Sequence, residues 1–169
     1  MKIIVRALFA LLALQMVVPA QAQGELALLE SYIGDWRGDS ALVGPDRNEP
    51  FRCRLGVAKG NQGRINYTGR CTLVNATLSI SGTIAYIEAQ QRFEAAMSSN
   101  AGYTGLAVGQ TSGDRISFDL REQQKDRAGS DVRIGAKILL VGNDSITVDF
   151  EVEFNDSGEV LTASVPFSR

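Results

Sequence analysis

From Gly34 onward, apolar and polar residues alternate with a period of two. Ser145–Phe154 is the clearest run: Ile146, Val148, Phe150, Val152 and Phe154 interleave with Ser145, Thr147, Asp149, Glu151 and Glu153. Ile116, Phe118 and Leu120 alternate with Ser117, Asp119 and Arg121, and Val132, Ile134, Ala136, Ile138 and Leu140 share one face. Such alternation is the mark of a half-buried antiparallel strand. Ten strands are predicted: 35–43, 50–59, 63–74, 76–87, 91–98, 103–111, 114–122, 130–141, 144–154 and 159–167. Turn-forming sequences separate them, among them Gly44-Pro45-Asp46, Gly60-Asn61-Gln62-Gly63, Ser112-Gly113-Asp114 and Gly142-Asn143-Asp144. Short connections throughout make a meander, and a meander removes its exposed edges by closing. The expected fold is therefore all-β, an up-and-down antiparallel barrel of about 8–10 strands.

The pattern changes before Gly34. Leu26, Leu29, Tyr32 and Ile33 follow helical spacing, which predicts a short helix over Glu25–Ile33 that closes one end of the barrel. Ahead of it, Lys2 and Arg6 precede an apolar run from Ala7 to Val18, followed by Pro19 and the small-residue site Ala20-Gln21-Ala22. That is the order of a secretory signal peptide, residues 1–22, cleaved after Ala22. The run is shorter than the ~20 residues a membrane span needs. The mature chain 23–169 is expected to be one barrel domain in the periplasm, not embedded in a membrane. Losing Lys2 and Arg6 takes the formal charge from -2 to -4. A mildly acidic domain with mixed charges carries no footprint for nucleic acid.

Cys53 and Cys71 are the only cysteines. Each lies nine residues from position 62, so folding 51–73 as a hairpin about Gly60–Gly63 sets them opposite one another. An even count in an exported chain predicts a disulfide of structural purpose, since no C-x-x-C spacing is present.

A short helical segment followed by Gly34-Asp35-Trp36 at the start of the first strand resembles the Gly-x-Trp signature of the calycins, the group of lipocalins and fatty-acid-binding proteins. The resemblance implies that Trp36 plugs the closed end, packed on the N-terminal segment and a basic residue of a late strand. Arg121 and Arg133 are the candidates for that residue. It also implies a cavity at the other end for a small apolar ligand. In outline the chain is also similar to small barrels of the bacterial periplasm that inhibit secreted metalloproteases, through Trp36, Cys53 and Cys71. Those inhibitors insert a free N-terminal segment into the protease, and Gln23-Gly24-Glu25 departs from the small polar stretch this implies.

The chain contains no His. Ser-His-Asp and Cys-His catalysis and His-bound zinc or haem are thereby excluded. Asp149, Glu151 and Glu153 share a strand face, where paired carboxylates serve glycoside hydrolysis or hold a hard cation; the alternation itself makes them a solvated outer face. Asn155-Asp156-Ser157-Gly158-Glu159 lacks the order of a calcium loop and reads as a hairpin turn. Arg52, Arg54, Arg64 and Arg70 cluster on the polar side of the disulfide hairpin; the patch suits an anionic group or a partner, and the plainer reading is a salt-bridged outer face.

The inward set carries the functional expectation. Phe51, Leu55, Tyr67, Ile80, Phe93, Met97, Leu106, Phe118, Ile134 and Phe150 are expected to line a ligand cavity, with Val57, Ile65, Val108 and Val152 on the same face. Gly69, Gly82, Ala95 and Ala136 would widen it. The favoured reading is a monomeric, non-catalytic binding protein with no cofactor, its partner a small apolar ligand or an envelope protein. One alternative is a structural or protease-inhibitor-like module acting through its surface. Another is an outer-membrane barrel with its apolar face turned to lipid. Against that stand the scarce aromatics and the ending Phe167-Ser168-Arg169.

Overall fold

The computed structural model describes residues 20–126 and 128–169. The signal-peptide prediction falls almost wholly on residues outside these. The ten predicted strands are all present: β1 (Gly34–Gly44), β2 (Arg47–Lys59), β3 (Arg64–Thr72), β4 (Thr77–Ile87), β5 (Arg92–Ser99), β6 (Thr104–Ser112), β7 (Arg115–Lys125), β8 (Asp131–Val141), β9 (Ser145–Phe154) and β10 (Val160–Phe167). Each pairs antiparallel with its neighbours in chain order, and β1 meets β10 to close the barrel. Among the described residues no helix is long and apolar enough to cross a membrane.

Local chemistry explains the turns. Gln62 and Gly63 both take positive φ, at 57° and 69°, which reverses the chain within three residues and lets the Gly60 N–H bond the Arg64 carbonyl at 2.8 Å. The register of this hairpin sets Cys53 directly opposite Cys71, with Cα atoms 4.0 Å apart, and the two are disulfide-bonded. The Asn155–Glu159 stretch is the hairpin turn expected, closed by Gly158 N–H to Phe154 O at 2.8 Å.

The helix differs from expectation. Helix α1 runs Ala20–Glu30, earlier than Glu25–Ile33. Its last turn tightens, with the N–H groups of Tyr32 and Ile33 reaching back three residues to Leu29 and Glu30, so Ser31–Ile33 form a turn that hands the chain to β1.

The apolar face of the alternation lines the interior, and the outer wall carries the charges, including Arg54, Asp119, Arg121, Lys137 and Glu151. This is the reverse of the lipid-facing arrangement. One strand breaks the predicted phase. Leu106 and Val108 of β6 point outward, 75% and 45% exposed, while Gly105, Ala107 and Gly109 face in. The reason lies on the next strand: Phe118 covers Gly109, and a Cβ at Gly105 would lie 2.7 Å from Leu120. Large side chains from β7 fill the space that β6 leaves, so its own large residues are placed outside.

The seam between β1 and β10 is the weakest join. Strand pairing there is Val43 with Thr162, plus a bridge from Arg37 to Ser168, whereas β1 pairs β2 along its whole length. Ser168 exchanges both backbone hydrogen bonds with Arg37, at 2.8 and 2.9 Å. By the two-residue period Pro166 and Ser164 turn their backbone polar atoms the same way. Pro166 has no N–H to offer β1, and the Ser40 hydroxyl donates instead to the Ser164 carbonyl at 2.5 Å.

Candidate functional site

Helix α1 closes the barrel end at which β1 begins. Leu29, Tyr32 and Trp36 are buried there, and Leu26 packs over Gly63. Glu30 pairs with Lys59 of β2 at 2.8 Å, and Glu25 accepts from the Thr111 hydroxyl of β6 at 3.1 Å, so the helix is tied to strands across the opening. The Trp36 indole N–H donates to Tyr32 O at 2.9 Å. The basic residue on the indole is neither Arg121 nor Arg133, which pair with Asp119 and Glu153 on the outer wall. It is Arg169, whose guanidinium sits 4.3 Å from the ring centroid and also donates to the Ser31 carbonyl. The Arg37–Ser168 bridge brings the chain end to this point.

Burial dominates the chemistry of the tyrosines. Tyr32 is fully buried, its hydroxyl has no hydrogen-bond partner among the described residues, and its pKa is pushed up to about 12 by burial and then by Asp114 and Asp144. Burial alone pushes Tyr67 to about 12, where its hydroxyl donates to Ala96 O at 3.2 Å. Tyr86 and Tyr103 are also raised, by burial first.

Nine of the ten expected cavity residues point inward. Phe51, Leu55, Tyr67, Phe93 and Phe118 are buried in one core cluster, against which Ile80, Met97 and Phe150 pack half-buried. Ile134 belongs to a smaller cluster with Val132 and Val152, and Phe150 touches both clusters. Leu106 is the exception, on the outer wall. Gly69 and Gly82 do not widen the interior. A Cβ on Gly69 would meet Ile80 at 2.7 Å, and one on Gly82 would collide with the Tyr67 phenol. The glycines make room for neighbouring side chains, and Ala95 and Ala136 are themselves buried.

Exposure of the inward face is uneven. Toward α1 the inward residues Trp36, Ile65, Phe93, Ile116 and Ile146 are buried. Toward the opposite end Leu42, Ile80, Met97 and Phe150 are only half-buried and Glu122 of β7 faces in, beside the buried Phe51, Val132, Ile134 and Val152. These make an apolar mouth with one carboxylate. Leu42 and Glu122 were missed from the sequence, although each continues its strand's alternation, from Trp36 and from Phe118 respectively.

Two grooves indent the outer wall, one over β1–β5 and one over β7–β10 and β1. The three carboxylates of β9 lie on the second, where Asp149 accepts from the Ser164 hydroxyl and Glu153 pairs with Arg133. The salt-bridged outer face expected around the disulfide hairpin is found at Arg52, which pairs with Asp39 at 3.3 Å; Arg54, Arg64 and Arg70 form no ion pair among the described residues.

No family model and no curated protein matches the chain. Solved structures do share its fold. Rv2717c from M. tuberculosis superposes with a TM-score of 0.64 at 16% identity, over 85% of this chain and 96% of that one. The S-type phycobiliprotein lyase CPES from Guillardia theta superposes with a TM-score of 0.57 at 15% identity, over 85% and 90%. With the closed ten-strand barrel, these likenesses make the fold calycin-like.

Proposed function

We propose that this chain is an exported, non-catalytic binding protein of the periplasm that takes a small hydrophobic molecule into the open end of its barrel. One observation carries the reading: four inward apolar side chains toward the end away from α1, Leu42, Ile80, Met97 and Phe150, are half-buried and so still reach water. Half-buried apolar surface on a concave wall gains most from a ligand that removes it from water, at roughly 25 cal/mol per Å². The lack of His and the bonding of both cysteines support binding over catalysis, and the disulfide suits an oxidising compartment.

The test is native mass spectrometry of the protein purified from periplasm, with solvent extraction of whatever it carries. A bound mass released on denaturation, and absent in Met97→Gln, is the expected result. A bare polypeptide that also ignores an apolar fluorescent probe would overturn it. Exposed Leu106 and Val108 favour the second reading, a module acting through its outer wall on an envelope protein. That reading predicts the bare polypeptide together with capture of a partner that Leu106→Ser abolishes.

A further inference from the structure

On the outer wall, register places three arginines in one row. Arg37 of β1 lies opposite Arg54 of β2, and Arg54 lies opposite Arg70 of β3. All three are exposed, and adjacent strands stand about 4.8 Å apart. Like charges directly opposed across strands destabilise a sheet. Elsewhere the wall avoids this. In the next row Asp39 faces Arg52 and pairs with it, and Arg92, Arg121, Arg133, Lys59 and Lys125 each hold a carboxylate. Arg37, Arg54 and Arg70 form no ion pair among the described residues. The row is an uncompensated concentration of positive charge on a chain whose net charge is negative.

The row also lines a built concavity. The groove over β1–β5 has a volume of about 860 Å³, within the range of small-molecule sites, and hydroxyl side chains of Thr68, Ser79, Ser81 and Ser98 continue its lining beyond Arg70. Asp35 is the carboxylate on its edge, beside Gly56, which biases an anion toward the Arg70–Ser79 side. Guanidinium forks bind phosphate oxygens bidentately, and neutral hydroxyls donate to the oxygens that remain. Three forks spanning about 10 Å across the strands exceed what one anionic group can engage.

We propose that the Arg37–Arg54–Arg70 groove is a binding site for a small soluble polyanion bearing more than one phosphate group. It lies on the outer wall and shares only Ile80 with the residues of the barrel mouth. Anion charge relieves the repulsion among the three guanidiniums, so binding and stability are linked.

The experiment is calorimetric titration of sodium tripolyphosphate into the protein expressed from its whole sequence, at two salt concentrations, beside thermal unfolding with and without the anion. Saturable binding that weakens with salt is expected. Arg54→Gln should weaken it about tenfold or more, as for a lost charge-assisted hydrogen bond. Arg52→Gln, whose arginine is already paired, should leave it within about twofold. Without anion Arg54→Gln should melt no lower than wild type, because it removes repulsion, and tripolyphosphate should raise the Tm of wild type and Arg52→Gln by more than that of Arg54→Gln. No binding by wild type, or equal loss in Arg52→Gln, would overturn the proposal. So would retention on phosphatidylglycerol vesicles without binding of free tripolyphosphate, which would assign the row to a membrane surface.

Discussion

Gly109 shows how single positions divide the interior. It faces inward on β6 and lies under the Phe118 ring, so adding a methyl there forces the ring or the strand to move. Overpacking of this kind costs about 1–3 kcal/mol. Gly109→Ala should therefore lower stability in urea unfolding by that amount. In a double-mutant cycle with Phe118→Leu the two substitutions should couple, the double variant being more stable than additivity predicts. Additive losses would mean that Phe118 does not occupy the space above Gly109.

The tyrosines give a prediction in pH. All four, Tyr32, Tyr67, Tyr86 and Tyr103, are held above the usual value, with Tyr32 and Tyr67 at about 12. In the unfolded chain they ionise near 10. Between those values the unfolded state binds fewer protons than the native one, so stability is fully present below about pH 10 and is lost as pH rises toward 12. For Tyr32 and Tyr67 the slope approaches about -1.4 kcal/mol per pH unit each. Denaturant unfolding at stepped alkaline pH should show this fall, and Tyr67→Phe should make it shallower. Tyrosinate absorbance already half developed at pH 10 in the folded protein would contradict it.

Among the elements, the β1–β10 seam and the α1 plug are the informative joins. Pro166 deprives β10 of a donor toward β1, and Ser40 replaces part of the ladder with a side-chain bond. Backbone amides of 38–42 that face the seam should exchange with deuterium faster than those of β2 or β8, whose ladders are continuous. Equal protection would show that the β1 amides find carbonyl acceptors on β10 beyond the Val43–Thr162 pair. At the plug, deleting Arg169 removes the cation over Trp36 and the donor to Ser31. The expected loss is about 1 kcal/mol. Because Trp36 is the only tryptophan, a change in its fluorescence reports the event directly.

At the scale of the molecule, the barrel holds together through antiparallel ladders, interrupted at the β1–β10 seam, and one covalent tie. Cys53–Cys71 closes a loop with a sequence separation of 18, and reduction, or the pair Cys53→Ala and Cys71→Ala, should cost about 3 kcal/mol in the chain-entropy account. The molecule has two proposed surfaces for recognition. The apolar mouth lies at the end away from α1, and the arginine row lies on the wall.

The sequence by itself determined the strands, their turns and the disulfide. A period of two, a turn-forming stretch at Gly60–Gly63 and two cysteines equidistant from position 62 are local facts, and each acts over a few residues. Tertiary structure decided which face of β6 is the inside, because Phe118 and Leu120 on the neighbouring strand claim that space, and a strand's phase depends on what packs against it. It also decided that Arg169 reaches Trp36 and that Arg37 joins Arg54 and Arg70. Closing a barrel brings residue 37 beside residue 168, and register across three strands aligns charges whose spacing along the chain carries no period.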